Sequence, residues 1–557
     1  MRRKQRLGDI LLNYKLISQE QLTKALEAQK ENKKKLGEVL IELDYIDENI
    51  ILKTLEAQLR IPYVNLNDYV INPKAVRVIP EAVARRYNII PLDIEGGKII
   101  LSMSDPLDVL AVDDVQVITG LTVKVVISSK TDIQKAINQY YTSSDTAEEA
   151  VREFDSQTED IEESVEENND VANAPIVRLV NNMILQAARM RASDIHIEPF
   201  EKNVRVRFRV DGELIENMVM PRKTHLALVT RIKIMSKLDI AERRIPQDGR
   251  VETMVDRIAL DLRISILPTV YGEKVVMRLL FRNAISVTKE QLGFTEYNLE
   301  RFDKIIKAPE GIILVTGPTG SGKSTTLYTV LRELNDIKKN IITIEDPVEY
   351  RLGGINQVQV NPKAGLTFAS GLRSVLRQDP DIVMVGEIRD AETAQIATRA
   401  AITGHLVLST LHTNDTASTI SRFIDMGVES YMVSSSVVGV IAQRLVRRIC
   451  PRCKQQFEPS EEEEAILRKE GIDKVYRGIG CNHCSGTGYS GRIAIHEILV
   501  MDREIRRMID RGHAIDEIKE KAIEKGMKTL NKTCIDLIRE GVTTVSEMLK
   551  ITYSVDQ

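Results

Sequence analysis

An apolar run, Ile312-Ile313-Leu314-Val315-Thr316, leads directly into Gly317-Pro318-Thr319-Gly320-Ser321-Gly322-Lys323-Ser324, and a helix-forming stretch follows. No other feature restricts the fold so tightly, because G-x-x-x-x-G-K-[ST] between a strand and a helix is the phosphate-loop pattern in its required setting. Its glycines let main-chain amides converge on phosphate oxygens, and the helix N-terminus adds favourable partial charge. Lys323 can reach β- and γ-phosphates, Ser324 can ligate Mg²⁺, and Thr325 completes the candidate binding set. Apolar strands recur at 341–343, 382–385 and 406–409. Buried strands alternating with helices predict an α/β domain with a largely parallel sheet.

The ends of those strands carry the candidate catalytic groups. Ile382-Val383-Met384-Val385 runs into Gly386-Glu387, which places Glu387 to orient a water molecule near the phosphates. The aspartate that usually precedes such a glutamate is replaced by Gly386. Glu345, in Glu345-Asp346-Pro347-Val348-Glu349, follows another strand and is a second candidate, with simple solvation of a strand end as its rival reading. His405 and His412 bracket the strand at 406–409; each is read as linked to the nucleotide, against the alternative of a structural histidine. Arg373 and Arg377 are weaker candidates for nucleotide or subunit contacts.

Arg263 and Arg278 sit inside apolar strand patterns, where an unpaired charge is costly, so each needs an anion. A structural ion pair with Asp261 or Glu273 would satisfy that need as well. Cys450-Pro451-Arg452-Cys453 and Cys481-Asn482-His483-Cys484 repeat C-x₂-C with 27 residues between them. Two such knuckles suit a closed, structural Zn²⁺ site with four cysteine ligands, the alternative being four reduced thiols.

A repeat opens the chain. Arg6-Leu7-Gly8, Leu11, Ile17, Leu22, Leu26 and Gln29 recur 29 residues later as Lys35-Leu36-Gly37, Leu40, Ile46, Ile51, Leu55 and Gln58. The apolar spacing makes each copy a short helix, a turn and a longer helix.

At 557 residues the chain predicts several domains. Glutamates and aspartates crowd residues 143–170, leaving little apolar material to bury, so that stretch reads as an acidic linker. The expected division is a regulatory domain over 1–140, a linker over 141–172, a second domain over 173–285 and an ATPase domain over 286–557. The last of these includes the cysteine insertion at 450–484 and a helical tail. No apolar run reaches the roughly 18 residues of a transmembrane helix, and the basic N-terminus lacks the apolar core of a secretory signal. Any membrane contact is therefore expected to be indirect. A net charge of -4 and the absence of Trp argue against nucleic acid as the partner.

These motifs resemble the four boxes of the secretion ATPase superfamily: phosphate loop, aspartate box (Glu345), atypical Walker B (Glu387) and histidine box (His405, His412). The resemblance covers about residues 173–500. It implies a multidomain α/β protein: a RecA-like core, a PAS-like α+β second domain that supplies arginine fingers at Arg263 and Arg278, a mostly helical N-terminal domain and a zinc insertion. It further implies a homohexamer at the cytoplasmic face of the inner membrane, driving a platform protein alongside cytoplasmic assembly proteins. The long N-terminal region and paired cysteines are similar to the pilus-extension and type II secretion branches. The N-terminal repeat resembles a cyclic-di-GMP-binding domain. On that likeness Arg6 and Lys35 would meet phosphate or guanine, and Gly8 and Gly37 would allow close approach. Leu7, Leu11, Leu22, Leu26, Leu36, Leu40 and Leu55 would form an apolar floor, with Gln29 and Gln58 giving hydrogen bonds. A helical docking module without ligand is the plainer alternative. The implied function is ATP-driven pilus assembly under cyclic-di-GMP control. Its rivals are a type II secretion ATPase, a non-hydrolytic nucleotide-sensing scaffold and a nucleic-acid translocase.

Overall fold

The computed structural model describes residues 7–32, 36–66, 69, 71–137, 140–141, 174–255, 258–281 and 287–555. Arg6, Lys35 and nearly all of the acidic stretch expected as a linker lie outside them. The chain divides into two compact units, the first holding residues up to Ile258 with Leu262–Leu279, the second most of the chain from Leu280 onward.

In the first unit the repeat folds as helices Leu7–Asn13, Gln19–Asn32, Leu36–Glu42 and Glu48–Leu59, a short and a long one in each copy. Lys15 (φ 56°) and Asp44 (φ 55°), 29 positions apart, both take the left-handed conformation that turns the chain between them. Ser18 and Gln21 exchange main-chain-to-side-chain hydrogen bonds of 2.8 and 3.2 Å, a capping pair that fixes where the first long helix begins. Leu11, Ile17, Leu22, Leu40, Ile46 and Ile51 form one buried cluster.

Farther along, β1 (Ile89–Glu95), β2 (Lys98–Met103) and β3 (Thr122–Ile127) make a small sheet. The β1–β2 pair is antiparallel and β2–β3 parallel, with helix Val109–Thr119 as the crossover, capped by Asp108. Strands β4 (Asp194–Pro199), β5 (Asn203–Val210), β6 (Glu213–Pro221), β7 (Gln247–Val255), β8 (Ile258–Thr269) and β9 (Gly272–Phe281) form a second sheet, in the order β6-β5-β4-β9-β8-β7. Helices Ala174–Arg189 and His225–Met235 accompany it, giving an α+β fold.

The second unit is built on seven strands in the order β12-β11-β13-β14-β10-β15-β18. They are β10 (Gly311–Thr316), β11 (Ile341–Glu345), β12 (Asn356–Gln359), β13 (Ile382–Val385), β14 (Leu406–Leu411), β15 (Val437–Ile449) and β18 (Tyr489–Val500); β16 (Lys454–Phe457) and β17 (Val475–Gly478) pair separately. The first six run parallel, and only β18 opposes its neighbour. Every residue of β10, β11, β13 and β14 is buried, which is why these strands read as unbroken apolar runs. A parallel sheet presents its functional loops at the carboxyl ends of its strands, and the expected RecA-like arrangement is the one found.

Candidate functional site

Three strand ends converge. The phosphate loop leaves β10, and helix Lys323–Leu334 begins at its lysine, with Gly320 (φ 80°) and Gly322 (φ 90°) supplying the left-handed turns that a side chain would strain. Pro318, Thr319, Gly320, Ser324 and Thr325 are exposed, whereas Gly317, Ser321 and Lys323 are buried. The Lys323 ammonium donates to the carbonyls of Gly317 and Pro318 at 2.7 and 3.0 Å. Burial lowers its pKa to about 8; Glu387 opposes that shift and Arg444 adds to it.

Glu387, just past β13, is held on both carboxylate oxygens. Arg389 lies 2.6 Å from one and His412 Nε2 3.5 Å from the other. His412 follows β14, the strand between β13 and β10, so it stands between the acid and the loop. Burial and the Lys323 charge keep its imidazole below the ordinary range, with Glu387 countering. Thr316 at the end of β10 and Thr413 beyond β14 share a 2.6 Å hydroxyl contact, and Thr410 donates to the Gly386 carbonyl at 2.7 Å. These bonds tie the three strand ends together.

Glu345 ends β11 as a buried carboxylate. Tyr328, from the helix after the phosphate loop, donates to one oxygen. Thr343 (2.5 Å) and Gln357 (3.2 Å) donate to the other. A strand-end acid kept for solvation would point outward; this one is fixed inward. His405 is not brought to the group. It precedes β14, and a six-residue strand spans about 20 Å, so it stands at the opposite, amino-terminal end of the strands with Nδ1 on the Ala400 carbonyl at 2.8 Å. Arg373 pairs with Glu392, and Arg377 bonds the Arg373 carbonyl and Ser374.

In the first unit, Arg278 is exposed and its Nε donates to Asp194 at 3.0 Å, so the guanidinium Nη groups are not taken up by that bond. The pairing partner is Asp194 rather than Asp261 or Glu273; Glu273 is engaged by Lys233 at 2.7 Å. Arg263 is half-buried on β8. Four residues along β4 from Asp194, burial alone would raise the Glu198 pKa, but hydrogen bonds and charges of Arg207 and Lys274 hold it down at about 2.

The four cysteine sulfurs of Cys450, Cys453, Cys481 and Cys484 lie within 4.8 Å of one another and all four residues are buried. Cys481 Sγ and Cys484 Sγ are 3.7 Å apart, close to the roughly 3.8 Å edge of a tetrahedron with Zn–S bonds of about 2.3 Å. Main-chain amides of Cys481 and Gly488 point at Cys484 Sγ at 3.2 and 3.3 Å, the arrangement that steadies a thiolate. The donor set fits zinc. Cys534 is buried alone, and burial pushes its thiol up to about 12.

In the N-terminal repeat, Leu11, Leu22 and Leu40 belong to the helical core rather than to an open floor, whereas Leu26 is exposed. Leu7, Leu36 and Leu55 pack at the margin of that core, and Gln29 and Gln58 are half-buried. A Cβ on Gly8 would meet Leu22 at 3.0 Å and Leu36 at 3.5 Å; one on Gly37 would meet Ile51 at 3.3 Å and Leu7 at 3.8 Å. The two glycines thus let the two copies pack reciprocally.

A phosphate loop on a parallel core, with an acid and a histidine at adjacent strand ends, defines a P-loop ATPase. The chain belongs to the type II/IV secretion system protein family, whose model matches residues 169–550, and an MshEN domain model matches residues 59–147, beyond the tandem repeat. It is 42% identical to the type IV pilus assembly ATPase PilB of Myxococcus xanthus over 98% of both chains. It is also 42% identical to the type II secretion system ATPase E of Vibrio cholerae, over 87% of this chain and 99% of that one. The structure of the ATPase DotB of Legionella pneumophila shares the fold at a TM-score of 0.51 and 22% identity, covering 68% of this chain and 95% of that one. No helix among the described residues is long and apolar enough to cross a membrane.

Proposed function

We propose that the chain is the motor of type IV pilus assembly, a homohexamer that hydrolyses ATP and drives an inner-membrane platform protein from the cytoplasmic face. End-to-end similarity to a pilus assembly ATPase carries this reading. Lys323 and the loop amides bind the triphosphate. Ser324 would hold Mg²⁺, which would supply positive charge against the phosphates. Glu387, oriented by Arg389 and His412, takes the proton of the attacking water. Glu345 orders the second side of the site, and Arg263 and Arg278 reach the γ-phosphate of a bound nucleotide in the assembled ring. Exposure of Arg278 and its single-point tether at Nε support that role. The MshEN match supports control by cyclic-di-GMP.

The equal identity to a type II secretion ATPase favours a second reading in which the same chemistry moves a secretion platform. Affinity capture of the full chain from native membranes, with and without added cyclic-di-GMP, separates them. Recovery of the pilus platform protein, changed in amount by the dinucleotide, is the expected result. Recovery of a secretion platform overturns the pilus assignment, and indifference to cyclic-di-GMP removes the messenger.

A further inference from the structure

The phosphate loop is gripped from the side by a strand that carries none of the motif residues. Thr316 on β10 pairs with Ala442 on β15, so the next residues, Gly317 and Gln443, emerge side by side where the loop starts. Gln443 is 1% exposed. Its Nε2 donates to the Ser321 carbonyl at 2.9 Å, and its Oε1 accepts from the Thr326 hydroxyl at 2.7 Å. One side-chain amide therefore bridges the loop and the first turn of the following helix, on either side of Lys323. The backbone fits as closely. A Cβ on Gly317 would meet the Gln443 carbonyl at 2.5 Å, and one on Gly322 would meet Gln443 Nε2 at 2.8 Å. Arg444 secures the clasp from behind: it is 5% exposed, and its Nη1 and Nη2 donate to the carbonyls of Gln443 and Asn414 at 3.1 and 2.9 Å.

We propose that Gln443 is a positioning residue of the nucleotide site, holding Ser321 and Thr326 so that the amides of the loop and Lys323 are already aimed when a nucleoside triphosphate enters. The chemistry requires this side chain. The Ser321 carbonyl needs a donor and the Thr326 hydroxyl an acceptor, and a neutral amide supplies both, whereas a carboxylate or an aliphatic residue would leave one or both groups unmet. An aimed loop binds ground state and transition state alike, so the effect falls on KM and on affinity more than on kcat. The inference rests on the ATPase activity and is independent of which membrane machine the motor serves.

The test uses full-length Gln443→Leu, Thr326→Val, the double variant and Thr326→Ser. KM and kcat for ATP are measured, along with calorimetric affinity for a non-hydrolysed ATP analogue. Loss of a buried bond pair predicts about a tenfold rise in KM and in the analogue Kd for Gln443→Leu, with kcat within about threefold of the parent. Thr326→Val moves in the same direction, the double variant is no worse than Gln443→Leu alone, and Thr326→Ser retains parental KM. A folded Gln443→Leu protein with parental KM and Kd overturns the proposal, even if its melting temperature has dropped. Should Gln443→Leu fail to fold, the threonine pair decides: a parental KM in folded Thr326→Val overturns it, and a raised KM that Thr326→Ser avoids supports it.

Discussion

Lys323 illustrates how much of the site is decided by single side chains. Burial brings its pKa to about 8, against a free-lysine value of 10.5. Between those values the unfolded chain holds a proton that the folded chain has released, so this residue makes stability rise with pH through that window. Ligand binding runs the other way. A polyphosphate favours the ammonium, so above about pH 8 binding must take up a proton, and the Kd of a non-hydrolysed ATP analogue should weaken about tenfold per pH unit. Calorimetry across that range checks it, and a flat Kd would show that the Lys323 proton is not linked to binding. At this scale the sequence marked Lys323, Glu387, His412 and Glu345 but was silent on Arg389, Gln443 and Tyr328. Those three lie outside the motif patterns, and their importance comes from what faces them across the fold. His405 misled for a related reason: proximity to a strand in sequence does not say at which end of the sheet a residue stands.

Among the elements, the zinc knuckles make the clearest physical claim. Their short sulfur–sulfur distances and inward amides suit thiolates gathered on one cation, and a structural zinc contributes directly to folding free energy. Purified chain should contain one zinc per protomer by elemental analysis, and Cys450→Ser should lose it together with several degrees of melting temperature. Protein that is folded and zinc-free would rule the metal out. The core strands and the helical repeat were legible because burial on both faces and a helix-spaced period leave plain signatures. The repeat also shows where pattern reading stops. In sequence Gly8 and Gly37 read as making room for a ligand; in the structure a Cβ on either would also meet leucine or isoleucine of the neighbouring helices, and Leu11 and Leu40 are core. A glycine that admits a helix and one that admits a ligand look the same in sequence.

For the whole molecule, the phosphate loop announced the ATPase domain and family membership agrees with it, while the partner of Arg278 was not legible. Asp194 lies far from Arg278 in sequence and meets it only because β4 and β9 are adjacent in the sheet. The proposed motor depends on hydrolysis driven by Glu387 at the phosphate loop. Release of inorganic phosphate from Mg²⁺–ATP by the purified, zinc-loaded full chain, with Glu387→Gln alongside, tests it most directly. Steady release by the parent is expected, with a variant that still binds ATP but turns over at least about a hundredfold more slowly. Near-parental release by Glu387→Gln, or none by the parent with platform protein and cyclic-di-GMP supplied, would contradict it.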